Sequence, residues 1–241
     1  MTVKPVNPRT VPSVHLGPDQ VARGPLPERV SMEPVTEGAP YAAERTLLDG
    51  PDGFFALWAC DAGVYPRVKD RRGSFMYILS GDATITDADG TSHELTADSV
   101  LVLPYAWQGT WQIRETIRKV YLHTTPVPPL PGAPVPCAFT PTEQVLHTPL
   151  PGGRAVLFDG PDGRCAVLAC EPGSAAPTEP GRAVFLHVLD GEATVTDADG
   201  TRHELTTGST AALPSGWTGT WDVHRTLRTL AIHSTPRQDT P

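Results

Sequence analysis

Cysteine is scarce, long apolar runs are missing, and helical periodicity is almost absent from this 241-residue sequence. Each shortage excludes something. The four cysteines Cys60, Cys137, Cys165 and Cys170 form no CxxC pair. Cys165 and Cys170 are an odd number of residues apart, so one regular strand would turn them to opposite faces. Reduced thiols are expected, not a disulfide or zinc framework. No segment approaches the roughly 18 apolar residues of a spanning helix. The opening "MTVKPVNPRTVPSV" lacks the apolar stretch of a secretory signal, so a cytoplasmic location is expected. Positive charge is also short: 19 Lys+Arg against 27 Asp+Glu give a formal net charge of −8. Such a surface repels phosphates, so neither nucleic acid nor a membrane is an expected partner.

What the sequence does contain is a duplication. "GDATITDADGTSHEL" (Gly81–Leu95) returns as "GEATVTDADGTRHEL" (Gly191–Leu205), at an offset of 110 residues. The same offset carries "DGPDG" at Asp49–Gly53 onto Asp159–Gly163, Ala59-Cys60 onto Ala169-Cys170, and "GTW" at Gly109–Trp111 onto Gly219–Trp221. No gap is needed from about Arg45 to Pro126. This period far exceeds the ~20–50 residues of stacked repeats, so a whole domain is duplicated.

Each copy reads as β structure. Runs rich in β-branched and aromatic residues flank Asp89-Gly90, a pairing typical of hairpins because glycine tolerates positive φ. Many short antiparallel strands per copy point to a sandwich or barrel. Short helices are expected only near Glu28–Val35 and Pro141–Leu146. "TTPVPPLPGAPVPC" reads as a stiff linker. The predicted organisation is a Pro-rich extension (1–40), a first barrel (41–126), a linker (127–140) and a second barrel (141–236). The extension is expected to run over the surface or to be partly disordered.

The motifs "WACDAG", "FMYILSGDATITDADG", "LPYAWQGTW" and "ETIRKVYL" resemble the cupins, in particular the ureidoglycine-aminohydrolase and ethanolamine-utilisation groups. The resemblance covers about Leu57–His123 and, with more drift, Val167–His233. It implies an all-β protein of two tandem jelly-roll barrels, a bicupin. It also implies a divalent metal held by two His and a Glu of a first motif and one His of a second. Carried over, the Glu position falls on Ser74 and Val184. The paired His positions fall near Lys69 and Arg71, and near Glu179 and Gly181; the last His falls on Gly109 and Gly219. None of these is the ligand the metal would need at that position. No metal and no other cofactor are therefore expected.

Period-two alternation separates the copies. If Ser74 faces the lumen, so do Met76 and Ile78, against Val184, Leu186 and Val188 in the second copy. Lys119 and Tyr121 become Thr229 and Ala231, Trp58 becomes Leu168, and Tyr105 becomes Ser215. The first barrel is thus expected to hold the site.

Each candidate has a structural alternative that the residues alone leave open. Lys119, Tyr121 and His123 are the candidate catalytic groups. Lys119 and Tyr121 follow the R-K-x-Y pattern and could make only structural hydrogen bonds, and His123 recurs as His233, as a repeated structural bond would. Candidate substrate-binding residues are Trp58, Ser74, Met76, Tyr105, Trp107 and Trp111, with Arg67, Lys69 and Arg71 in a basic loop at the mouth. The tryptophans could equally be barrel packing and the basic loop a solvated surface. His93 and His203 are expected to be exposed, and the "DGPDG" turns are given no function. The expected activity is metal-independent acid–base chemistry on a small polar or aromatic metabolite, of isomerase, cyclase, lyase or hydrolase type. A non-catalytic binder or sensor and an accessory assembly protein remain open, as does a homodimer.

Overall fold

Along the strand Ser74–Asp87, alternate side chains enter two different interiors. Met76 and Ile78 join Trp58, Trp111 and Tyr121 in one buried cluster. Phe75 and Tyr77 join another that also contains Val167, Phe185 and Ile232 of the second copy. In Val184–Asp197 the pattern repeats: Val184, Leu186 and Val188 fill a lumen of their own, while Phe185 meets the first copy. The computed structural model, which describes residues 11–124 and 134–235, therefore has two lumens and one apolar layer between them. Phe55 and Phe185, with ring centroids 5.0 Å apart, lie in that layer.

The first copy builds a nine-stranded sheet and the second a seven-stranded one. Two tandem β-barrels are what the duplication predicted. Each barrel is spanned by a long antiparallel pair, Ser74–Asp87 with Gln108–His123, and Val184–Asp197 with Gly219–His233. Register breaks around Gly81 and Gly191, where φ is +98° and +104°. A Cβ at Gly81 would lie 2.4 Å from the Thr116 carbonyl oxygen, so this bend requires glycine.

The segments leading into the copies are exchanged. Val14–Leu16, inside the proline-rich extension, pairs with Thr210–Leu213 of the second barrel. Ala138–Thr140, at the end of the linker, pairs with Val100–Leu103 of the first. Each is followed by a six-residue helix, Pro18–Arg23 and Thr142–His147, held by an arginine of the barrel it leads into. Arg118 donates to the Val21 and Gly24 carbonyls, both at 2.8 Å, and Arg228 to those of Val145 and Thr148 at 3.0 and 3.2 Å. Residues 1–10 and 125–133 lie outside the described ones, so the expectations for them stay with the sequence.

Buried aspartates fasten the exchange. Asp87 accepts the Trp107 indole N–H at 2.6 Å and the Cys137 backbone N–H at 3.2 Å. Asp197 accepts from Trp217 at 2.7 Å and from the Ser13 backbone at 3.1 Å. The "DGPDG" turns also reach across: Asp52 accepts from the Ser215 N–H and Asp162 from the Tyr105 N–H, each at 3.0 Å. A purely local turn role for that motif is thus corrected.

Two helix expectations differ in outcome. The one at Pro141–Leu146 is met by Thr142–His147. The one at Glu28–Val35 is not: Glu28–Val30 is a strand paired with Ala42–Glu44, because Pro27 and Pro34 leave too short a stretch for a helix. All four cysteines are free, and no helix among the described residues is long and apolar enough to cross a membrane.

Asp87→Ala would leave a buried indole N–H and a backbone N–H without their acceptor. It is expected to cost roughly 3 kcal/mol by denaturant titration and to speed hydrogen exchange in Ala138–Thr140. Unchanged exchange there would show that the arm is held without Asp87.

Candidate active site

A cavity of about 610 Å³ opens into the first barrel. Lys119 forms its inner wall. The long strand Gln108–His123 carries it, and pairing with Trp58 on one side and Ile78 on the other fixes its direction. Its Nζ lies 4.1 Å from the Trp58 ring centroid and 4.5 Å from that of Trp111, and donates to Met76 Sδ at 3.3 Å. The two indole faces stabilise the ammonium, by up to about 2 kcal/mol each when water is excluded. Burial works against the charge, with help from the Lys69 cation, and brings the Lys119 pKa down to about 7. Lys119 therefore titrates near neutrality.

Tyr121, two residues on along the same face, donates its phenol proton to Glu44. Burial raises the Tyr121 pKa far above that of a free phenol, and the bond to Glu44 adds to the rise. Burial likewise raises Glu44, although the Tyr121 hydrogen bond opposes the shift. Lys119 Nζ is 5.7 Å from the Tyr121 ring centroid. His123 follows, its Nδ1 2.5 Å from Ser74 Oγ. Burial, then the nearby Lys69 and Lys119 charges, hold its pKa well below the usual histidine value, so the ring is neutral.

Charge gathers on the solvent side. Arg71 is exposed and Arg72 and Lys69 are half-buried, all lining the cavity. Burial and the neighbouring Arg67 and Arg72 lower the Lys69 pKa to about 8. The Lys69 backbone is locked by the turn after Pro104, accepting from Ala106 at 2.7 Å and donating to Trp107 at 2.8 Å. Arg67 lies over the Tyr65 ring at 4.9 Å and donates to the Ser31 and Glu33 carbonyls at 3.3 and 3.0 Å, fastening the 31–33 segment as a wall.

The cavity brings together Trp58, Arg67, Lys69, Arg71, Met76, Trp111, Lys119, Tyr121 and His123 of the predicted set. It does not include the other three. Ser74 is fully buried, its hydroxyl engaged by the His123 ring and outside the cavity lining. Trp107 is fully buried and spends its indole N–H on Asp87. Tyr105 belongs to the inter-barrel contact through Asp162. Sequence reasoning missed Glu44, Asp49, Tyr65 and Met32. Glu44 had a findable signal, since its counterpart at the offset of 110 is Arg154.

The residues do not fit the divalent metal implied for this kind of barrel. The stretch around Lys69 and Arg71, near which the resemblance puts the paired histidines, holds no histidine and carries cations instead. The Ser74 hydroxyl is engaged by His123. Gly109 offers no donor, and a Cβ there would lie 2.2 Å from the Thr86 carbonyl oxygen. Among the described residues, the group able to gather three ligand atoms within 4.8 Å of one another is Asp87, His93 and Cys137, outside this cavity. That group has a counterpart in Asp197, His203 and Ser13, with Asp197 likewise bonded to a tryptophan and an arm, so its repeated features are structural. Neither histidine is exposed as expected: His93 packs on Phe139 at 5.2 Å and His203 on His15 at 5.3 Å.

Among the described residues, the second lumen has no lysine or tyrosine at the positions matching Lys119 and Tyr121. Leu168, Leu186 and Ala231 form an apolar cluster there, and Thr229, at the Lys119 position, is fully buried with no hydrogen-bond partner for its hydroxyl. His233 gives its Nε2 to the Pro177 carbonyl region at 3.0 Å, where His123 has Ser74 on the other ring nitrogen.

Comparison with known proteins places this architecture. The family model for the EutQ-like cupin domain matches residues 51–121 and again 160–229. No curated protein matches the sequence. Among solved structures, a cupin 2 conserved barrel domain protein from Leptotrichia buccalis is 12% identical with a TM-score of 0.61, over 85% of this chain and 100% of its own. AerE from Microcystis aeruginosa is 14% identical with a TM-score of 0.56, over 87% of this chain and 97% of its own. A variant salicylate 1,2-dioxygenase from Pseudoaminobacter salicylatoxidans is 11% identical with a TM-score of 0.55, over 80% and 76%. At these identities the likeness is one of fold.

Lys119 sets a pH-dependent stability. The unfolded chain keeps this proton up to about 10.5, whereas the folded one releases it near 7. The burial cost is therefore complete below pH 7 and fades as pH rises toward 10.5. Lys119→Met is expected to raise the melting temperature at pH 7, with a gain that shrinks across that window. A lower melting temperature at pH 7 would show that the aromatic contacts outweigh burial.

Proposed function

The chain belongs to the EutQ-like cupin domain family, and from that premise we propose that its first barrel is the active site of a metal-independent acid–base enzyme. The substrate is a small anionic metabolite with a planar or aromatic part. The observation that carries the reading is the buried Lys119 amine, held between two indoles with the Tyr121–Glu44 pair in the same cavity of about 610 Å³; burial brings its pKa down to about 7. That volume is ordinary for small-molecule sites, which run roughly 300–1,000 Å³.

Each side chain has a role in this reading. Neutral Lys119 accepts a proton from substrate carbon or oxygen, and its ammonium returns one. The Tyr121–Glu44 pair donates to, or hydrogen-bonds, a developing oxyanion. Trp58 and Trp111 pack against the planar part and keep water out. Arg71, Arg72 and Lys69 bind a carboxylate or phosphate, a use of guanidinium forks that suits planar anions. The cavity wall holds five cationic side chains, Arg67, Lys69, Arg71, Arg72 and Lys119, against three acids, Glu44, Asp49 and Asp70, in a chain of net charge −8. Isomerase, cyclase, lyase and hydrolase chemistry all use such a set. The second barrel supports the first. The proposal keeps the cytoplasmic setting read from the sequence.

Benzoate serves as a probe, with tryptophan fluorescence as the readout. It is expected to quench wild-type fluorescence saturably. Replacing Arg71 and Arg72 by Ala is expected to weaken binding about tenfold, the effect of losing a charge-assisted contact. Thr229→Val in the second lumen is expected to change nothing, and EDTA to leave both binding and melting temperature unaltered. Loss of binding on EDTA treatment would overturn metal independence, and sensitivity to Thr229→Val alone would move the site to the other barrel.

A further inference from the structure

Lysine is rare in this chain: Lys4, Lys69 and Lys119, against sixteen arginines among the 19 basic residues. Two of the three line one cavity. Arginine carries the same charge with more donors, but a guanidinium does not surrender its proton in a protein. Lysine, unlike arginine, leaves this lumen a basic group that can give up its proton.

Among the described residues, the surroundings of Lys119 leave the amine without a carboxylate to hold its proton. A lysine placed for charge pairs with a carboxylate. Lys119 instead has two indole faces and the Met76 thioether, a weak acceptor, and makes no ion pair among the described residues. Lys69 stands nearby as a second cation, the arrangement that activates amines toward carbonyl carbon, and it contributes to the lowered Lys119 pKa.

We infer that Lys119 forms a Schiff base with a small carbonyl compound that carries a carboxylate, such as a 2-oxo acid. The inference rests on the reading of this cavity as a small-molecule site. Neutral Nζ adds to the carbonyl carbon, and a proton passes from nitrogen to the former carbonyl oxygen, giving a carbinolamine. One further proton, taken from solvent through the open mouth of the cavity, lets that hydroxyl leave as water, with Tyr121 and Glu44 beside it. Amine, carbonyl and one proton thus become a protonated imine and one water, with no oxidant or reductant. The iminium is a cation, so the Trp58 and Trp111 faces that hold the ammonium also hold the product. The carboxylate meets Arg71 and Arg72 toward solvent. An iminium acidifies the neighbouring C–H, which gives lyase or isomerase chemistry its electron sink without a metal.

The test traps the imine in the full-length protein. Wild type is incubated with pyruvate and sodium cyanoborohydride, and modified lysines are located by peptide mass spectrometry. Acetaldehyde, a carbonyl without a carboxylate, is run in parallel. Lys119 is expected to carry the carboxyethyl group about tenfold more than Lys4 or Lys69, with labelling that rises as pH passes through about 7. Replacing both Arg71 and Arg72 by Ala keeps the amine and is expected to cut labelling by pyruvate about tenfold while sparing acetaldehyde. Lys119→Met should abolish the label. Even labelling of all three lysines, or a label on Lys69 with Lys119 untouched, overturns the inference. If no lysine is trapped while benzoate still quenches tryptophan fluorescence, the Schiff base falls and the cavity reading stands. If benzoate also fails to bind, both fall.

Discussion

A strand buried on both faces cannot hide a polar side chain by turning it to water, and Ser74–Asp87 is such a strand where the barrels meet. Phe75 and Tyr77 are committed to the layer shared with the second barrel, so Ser74, Met76 and Ile78 have only the lumen. The same holds for Gln108–His123, where Val120 and Leu122 enter the shared layer. Lys119 and Tyr121 are thereby forced inward. Joining two barrels back to back fixes which residues can meet a ligand before any ligand is considered. The exchanged arms and the reciprocal Asp52 and Asp162 bonds then lock the two copies together.

Within that frame the copies have diverged both in charge and in strand number, nine against seven. A buried ammonium costs several kcal/mol unless something compensates. In the first barrel, indole faces, a thioether and the Tyr121–Glu44 pair surround it. In the second, leucine and alanine at the matching positions carry no charge to compensate, and Thr229 leaves a buried hydroxyl unpaired. A buried amine in one lumen and a neutral counterpart in the other is the asymmetry on which the proposed site rests.

Much of this was legible. The offset of 110 revealed the duplication, and period-two alternation sorted Met76 from Phe75 and Lys119 from Val120. Two kinds of feature were not legible. The exchanged arms repeat at an offset of 124, aligning Asp19-Gln20-Val21 with Glu143-Gln144-Val145, so a gapless comparison at 110 passes over them. Hydrogen bonds between distant segments also leave no local pattern. Ser74 was correctly turned inward, yet His123 covers it, and Trp107 was drawn off by Asp87. Glu44 entered from a neighbouring strand whose register against Trp58 only the folded sheet supplies.

The account turns on the charge state of Lys119, and that is directly measurable. With three lysines in the chain, selective labelling of lysine ε-carbons gives a sparse NMR spectrum in which each can be followed with pH. The account predicts that the Lys119 resonance titrates with a midpoint near 7. A midpoint at the ordinary lysine value of 10.5 would contradict it and leave Lys119 as a packed cation with no acid–base or nucleophilic work near neutral pH.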